Sequence, residues 1–378
     1  MSSYIFLLFV FFIPMIMEAM KVSAKINYFI YYFLIFLVLI FVAMRLETGY
    51  DWLSYRNYFH SISSISFEEI LSNKFEPFYY LFNSILKELG FEFQSVIIVS
   101  GAFSVFAWAV FIKKFSPMPI HTLYFLVCFL LFSLLFSTIR QSIALAIFLF
   151  FLVCEKRFGF SKVRFSIFLF LSFLFQYSSF VYYLIYCISN RLPRKKLLLF
   201  AFLFLYFAQF VTQPIDYLLQ FVTSFGFFSE KLTWYFFDRG LEVSIFDKIR
   251  IWVSAPVFFC VLTYYYYNDN IGEINKKICG FGVILIFVEL FFIDYSVFRY
   301  RIYYFAFIVQ AIYCLTLVKG ADFLTRFFAT VSFFAVGLLY VILFLNKPTA
   351  SVLKPYQFWP YHYLTEMKST GEERYNYD

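Results

Sequence analysis

Arg45, Arg140, Arg299 and Arg301 are the residues of this chain whose type and placement best suit chemistry. Each stands at the edge of a long apolar stretch with aromatic residues close by. The stretches read Arg45-Leu46-Glu47-Thr48-Gly49-Tyr50-Asp51-Trp52, Ser137-Thr138-Ile139-Arg140-Gln141-Ser142 and Arg299-Tyr300-Arg301-Ile302-Tyr303-Tyr304. A lone arginine at the end of an apolar helix is ordinarily an anchor that snorkels to the interface. Its planar fork also matches phosphate oxygens bidentately, so several arginines on one lipid–water boundary would suit a pyrophosphate-bearing lipid. Asp51 and Glu47 follow Arg45 in a stretch that Gly49 allows to bend. Asp51 is the first choice for a general base acting on a hydroxyl and Glu47 the second. Gln176 can donate and accept hydrogen bonds to a sugar but cannot titrate near neutrality. No Asp, Glu or His set has metal-ligand spacing, and no nucleotide motif is present, so neither metal nor cofactor is expected.

The elements that must position these residues are membrane helices. Of 378 residues, 63% are hydrophobic and 14% charged, with a mean hydropathy of +0.78. Soluble domains run at about 45–50% apolar and about 25% charged, so this composition excludes an ordinary globular protein. Apolar runs of membrane-crossing length recur along the chain, and in lipid each must satisfy its own backbone as a helix. The expected fold is all-α and polytopic, a single membrane domain over residues 1–378 with about 11–12 transmembrane helices. Candidate spans lie near 3–17, 27–44, 92–112, 120–137, 141–154, 165–189, 197–212, 251–267, 278–293, 303–318 and 327–345. The first is read as a span rather than a signal peptide, because no basic residue precedes it and no small-residue cleavage site follows. Gln176 interrupts 165–189, and basic clusters flank both ends, so a hairpin with Gln176 near its apex is expected. The six cysteines have no C-x-x-C spacing and read as small core residues.

Sidedness follows from lysine and arginine. Short connections carry Lys21, Lys25, Lys113, Lys114, Lys156, Arg157, Lys162, Arg164, the cluster Arg191 to Lys196, Lys276, Lys277, Lys319 and Arg326. The positive-inside rule makes these cytoplasmic. The opposite face then carries loops at about 45–91 and 213–250, a tail at about 346–378, and both termini. Connections of such length between spans are ordinarily functional. All four arginines fall on this outer face, so they are expected to converge on one cavity there.

These landmarks together resemble a known family. Arg45, Gly49, Asp51 and Tyr55 form an Arg-x-x-x-Gly-x-Asp-x-x-x-Tyr pattern similar to the signature of the EpsG-like branch of bacterial polysaccharide polymerases, which includes many O-antigen polymerases (Wzy). Glu76-Pro77 followed by Tyr79 and Tyr80, the Arg140-Gln141-Ser142-x-Ala144 corner, the Arg299-x-Arg301-x-Tyr303-Tyr304 segment and the Pro355-Tyr356 and Pro360-Tyr361 pairs resemble its later landmarks, in order. One departure stands at Phe175-Gln176, where many members carry Phe-His.

The resemblance implies a membrane glycosyltransferase of GT-C-like type, metal-independent, in the bacterial inner membrane with its active site facing the periplasm. It would transfer the growing glycan en bloc from undecaprenyl pyrophosphate onto a lipid-linked repeat unit. The implied partners are lipid-linked oligosaccharide donor and acceptor, membrane lipid and a chain-length regulator protein, with no nucleic acid. Arg45, Arg140, Arg299 and Arg301 would hold pyrophosphate, with Tyr55, Gln141 and Gln176 on the substrate. A flippase or other transporter of lipid-linked oligosaccharide, and an O-antigen ligase, remain alternatives.

Overall fold

Uninterrupted apolar sequence makes this chain a set of helices. In the computed structural model, which describes residues 2–63, 65, 70, 75–208, 245–268, 271–294 and 296–365, helix dominates and only four residues pair as strand. Seven described segments are long and apolar enough to cross a membrane: Ser2–Ala19, Ala24–Ala43, Phe93–Phe115, Pro119–Ser137, Lys248–Tyr266, Ile302–Gly320 and Phe323–Leu345. The chain is therefore an all-α polytopic membrane protein. Four further expected spans also form helices, Ile139–Phe158, Lys162–Phe175 with Phe180–Ile188, Lys195–Ala208 and Glu273–Phe291. These fall short of the apolar length of the seven because they are brief, broken or charged towards their ends. Most of the expected 213–250 loop lies outside the described residues, as does the tail beyond 365.

The chain divides into two compact units, one of Met1–Phe180 with Leu315–Asp378 and one of Val181–Cys314. In the first unit, helices run between two chemically different ends. One end gathers the N-terminus, the loop after Ala43 and the C-terminal tail: Tyr4 Oη donates to Leu353 O at 2.6 Å and Tyr356 Oη to Phe41 O at 2.9 Å. Arg45–Leu46 pairs antiparallel with Gln357–Phe358, fastening the tail to that loop. The opposite end holds Lys21, Lys113, Lys114, Lys156, Arg157, Lys162 and Lys319 near helix termini, with Lys156 Nζ donating to Lys114 O at 2.8 Å.

Local sequence explains the helix ends. Pro14 has no N–H to give Val10, and the first span breaks at Phe11 between Ser2–Val10 and Phe12–Ala19. Pro119 opens its helix at the position where a missing N–H costs nothing. Gly337 lets Tyr124 pack against the last span, since a Cβ there would meet the Tyr124 ring at 2.6 Å. Such small-residue contacts hold helices together where lipid supplies no hydrophobic drive. In the second unit, Phe202 stacks on Phe259 at 4.0 Å, and buried Glu289 pairs with Arg250 at 3.5 Å.

Candidate functional site

The site lies at the tail end of the first unit, where three backbone irregularities meet. The helix from Pro119 widens into a π-helical turn over Leu131–Ser137, a form enriched at functional positions. Facing it, Gly49 has φ +133°, and a Cβ there would sit 2.2 Å from Phe136 O. Only glycine satisfies both the dihedral and the contact. Third, the Lys162–Phe175 helix ends at Gln176, whose extended backbone leads into the single turn Tyr177–Ser179.

Arg140 and Glu76 form the charged centre. Arg140 Nη1 donates to Glu76 Oε2 from the first turn of Ile139–Phe158. Glu76 precedes Pro77, which holds it extended (φ −63°, ψ 149°). Its carboxylate is buried, and its second oxygen accepts from the Tyr177 N–H at 3.4 Å. Aromatic rings surround the guanidinium, with Cζ 4.4 Å from the Phe75 centroid, 5.9 Å from Tyr55 and 6.0 Å from Tyr79. Arg140 Nε and Ser179 Oγ are buried and have no hydrogen-bond partner among the described residues. A buried donor without an acceptor costs free energy, and a substrate oxygen would relieve it. Burial, aided by the neighbouring Tyr55, pushes the Tyr79 phenol well above its ordinary value, so it stays protonated.

The expected site residues divide sharply. Tyr55 joins Arg140 directly. Asp51 is half-buried and starts the Trp52–Ser61 helix one turn before Tyr55, on the same face. Gln141 is buried next to Arg140. Gln176 is buried and donates to Ser178 Oγ at 3.3 Å, tightening its turn. Arg45, 1% exposed, donates Nε to Thr48 O at 3.3 Å, Nη1 to Val42 O at 2.7 Å and Nη2 to Phe136 O at 3.4 Å. It packs over the Phe136 ring and locks the loop. Glu47 is buried within that loop at φ +46°. Arg299 and Arg301 stand in the first turns of Ser296–Gly320, in the second unit; their side chains lie outside the described residues.

Glu76 is the site residue that residue-type reasoning passed over. A carboxylate directly before a proline, at the start of a Tyr-rich amphipathic helix, was the signal available. Among the described residues, no three His, Cys, Asp or Glu side chains are grouped to hold a metal ion.

These features define a polytopic α-helical membrane protein with a buried, aromatic-walled arginine–carboxylate site at one end of its first helical unit. The model of the EpsG family matches residues 28–363, and the chain belongs to that family, whose membership is consistent with a polysaccharide-polymerase-like function. No curated protein and no solved structure matches the chain.

Proposed function

We propose that this protein is a Wzy-type polymerase of O-antigen or another surface polysaccharide, acting at the periplasmic face of the bacterial inner membrane. The observation that carries the reading is Arg140: half-buried, ringed by aromatic faces and holding one buried donor, Nε, without a partner among the described residues, in a chain of the EpsG family. The sidedness rests on the lysine-rich opposite end of the first unit, which positive-inside assigns to the cytoplasm.

In the reaction, the bond between the anomeric carbon of the glycan and its carrier pyrophosphate breaks. A new bond forms to a hydroxyl of the lipid-linked acceptor, and that hydroxyl loses a proton. Charge develops on the leaving pyrophosphate, where a preorganised guanidinium is most effective. Arg140 takes that role and Glu76 fixes its fork; Arg299 and Arg301 are proposed pyrophosphate-binding residues on the family resemblance alone. Asp51 is the proposed base, with Glu47 second. Tyr55, Gln141 and Gln176 contact or shape the sugar site. Arg45 acts by holding the loop that presents Asp51. An apolar groove of about 760 Å³, lined by residues including Ile167, Phe170, Phe173 and Phe180, runs along the helix that ends at Gln176 and has room for a polyprenyl chain.

The test is gene deletion in the host, with surface polysaccharide resolved by length and complementation by wild type or Arg140→Lys. A polymerase loses long chains and keeps single repeats, and Arg140→Lys fails to restore them because lysine lacks the fork. Loss of all repeats means a flippase instead, and polymer unattached to core means a ligase.

A further inference from the structure

The lysine-rich end of the first unit holds a second charged cavity, remote in sequence from Arg140 and Glu76. It has a volume of about 450 Å³, and its lining includes Lys21, Lys113, Lys319, Arg326 and Glu18. Glu18 is committed elsewhere. Its oxygens accept from the Ile120 and His121 N–H groups, both at 3.0 Å, and one lies 2.6 Å from His121 Nδ1. That carboxylate occupies the positive end of the helix starting at Pro119. Four cations against one carboxylate leave the lining with three positive charges when His121 is neutral.

Arg326 shows that this is more than a solvated basic rim. It is 92% buried, from an exposure of 8%. Nε donates to Ala19 O at 2.9 Å and Nη1 donates to Ala321 O. These two bonds use Nε and Nη1, and the side chain lines the cavity. The span Ala24–Ala43 also begins here: Ser23 and Ala24 line the cavity, and no side chain caps that helix N-terminus. An uncapped helix start, a buried guanidinium and the lysines Lys21 and Lys319 line one cavity, with Lys113, which also donates to Tyr32 Oη, adding positive charge at its wall.

We propose that this cavity binds a phosphate anion, at the depth where a membrane lipid presents its headgroup. A phosphodiester of an anionic phospholipid and a free phosphate share the required chemistry, and basic pockets between spans on this face suit headgroups. The site is independent of glycan transfer.

Binding is read on the full-length purified protein, so that an inactive polymerase would not obscure the result. The variant is Lys21→Gly with Lys319→Gln. Lys21 has φ +56°, which glycine adopts without strain, so the first change removes charge while favouring the fold. Native mass spectrometry of protein in mixed phosphatidylglycerol–phosphatidylcholine nanodiscs reads retained lipid; thermal unfolding in detergent with added inorganic phosphate reads the free anion. Each lost cation should weaken phosphatidylglycerol retention by about fivefold. Selective phosphatidylglycerol retention that falls in the variant assigns the site to lipid. A phosphate-dependent rise in unfolding temperature, lost in the variant and without lipid selectivity, assigns it to free phosphate. If wild type shows neither effect, or the folded variant keeps both undiminished, the proposal is overturned.

Discussion

Glu76→Gln isolates what the buried ion pair contributes. The substitution keeps side-chain size and removes the charge facing Arg140. Removing one partner of a fully buried pair costs about 3–5 kcal/mol, because the other charge is stranded. Here the Arg140 side chain keeps 17% of its exposure, and the Phe75 ring lies 4.4 Å from Cζ. A cation–π contact of this kind offsets about 0.5–2 kcal/mol, which brings the expected loss to about 1–4 kcal/mol. The Tyr177 N–H can still donate to the amide oxygen of Gln, so that 3.4 Å bond adds little to the difference.

Stability and catalysis separate in the double variant. Glu76→Gln with Arg140→Gln replaces the pair by two neutral amides, and such replacements are often neutral in stability. Thermal unfolding in detergent should therefore recover to within about 1 kcal/mol of wild type. Polymer length on gels should not recover, since loss of one preorganised donor costs about 10²–10³ in rate. Long chains from the double variant would refute a catalytic Arg140. A thermally silent Glu76→Gln would refute the buried coupling itself.

Gly49→Ala should cost about 3 kcal/mol or more and lower expression, because it adds a disfavoured dihedral to a 2.2 Å clash with backbone; a wild-type unfolding temperature would contradict the geometry. Arg45→Lys should destabilise by about 2 kcal/mol, since a single ammonium nitrogen cannot stand at the three separate positions from which Nε, Nη1 and Nη2 reach their carbonyls, while folded protein keeps its polymer pattern; the same gels and melts check this. Asp51→Asn should abolish chain extension in protein that still inserts and still binds lipid-linked donor. Full-length polymer from it would move the base to Glu47 or His60. Cysteine labelling in spheroplasts should reach Lys231→Cys and Thr370→Cys from outside but leave Lys195→Cys protected; outside labelling of Lys195→Cys would reverse the hairpin reading of 165–189.

The helices were legible because lipid reduces the problem to one variable. An apolar run must satisfy its backbone internally, so length and hydropathy locate it. The break at Gln176 was visible for the same reason, as a polar interruption followed by Ser178 and Ser179. The π-helical turn at Leu131–Ser137 was invisible. Its residues are as apolar as those before it, and its widening depends on Arg45 and Gly49 packing against Phe136 from another part of the chain.

Arg45 and Arg140 show where reading by residue type stops. Both are arginines at the end of an apolar run on the same face, beside aromatic residues. What separates them is the supply of backbone carbonyls. The chain after Ala43 turns back through Glu47 and Gly49, surrounding the Arg45 guanidinium with Val42, Thr48 and Phe136 oxygens. Arg140 lies within the first turn of a regular helix, whose carbonyls are committed to its own ladder. Its guanidinium has to look outward, and it meets one carboxylate, aromatic faces and an unsatisfied remainder at Nε. A ligand site is favoured where local backbone cannot finish satisfying a charge. That criterion depends on how the chain turns, so Arg45 and Arg140, alike in sequence, are unequal in the fold.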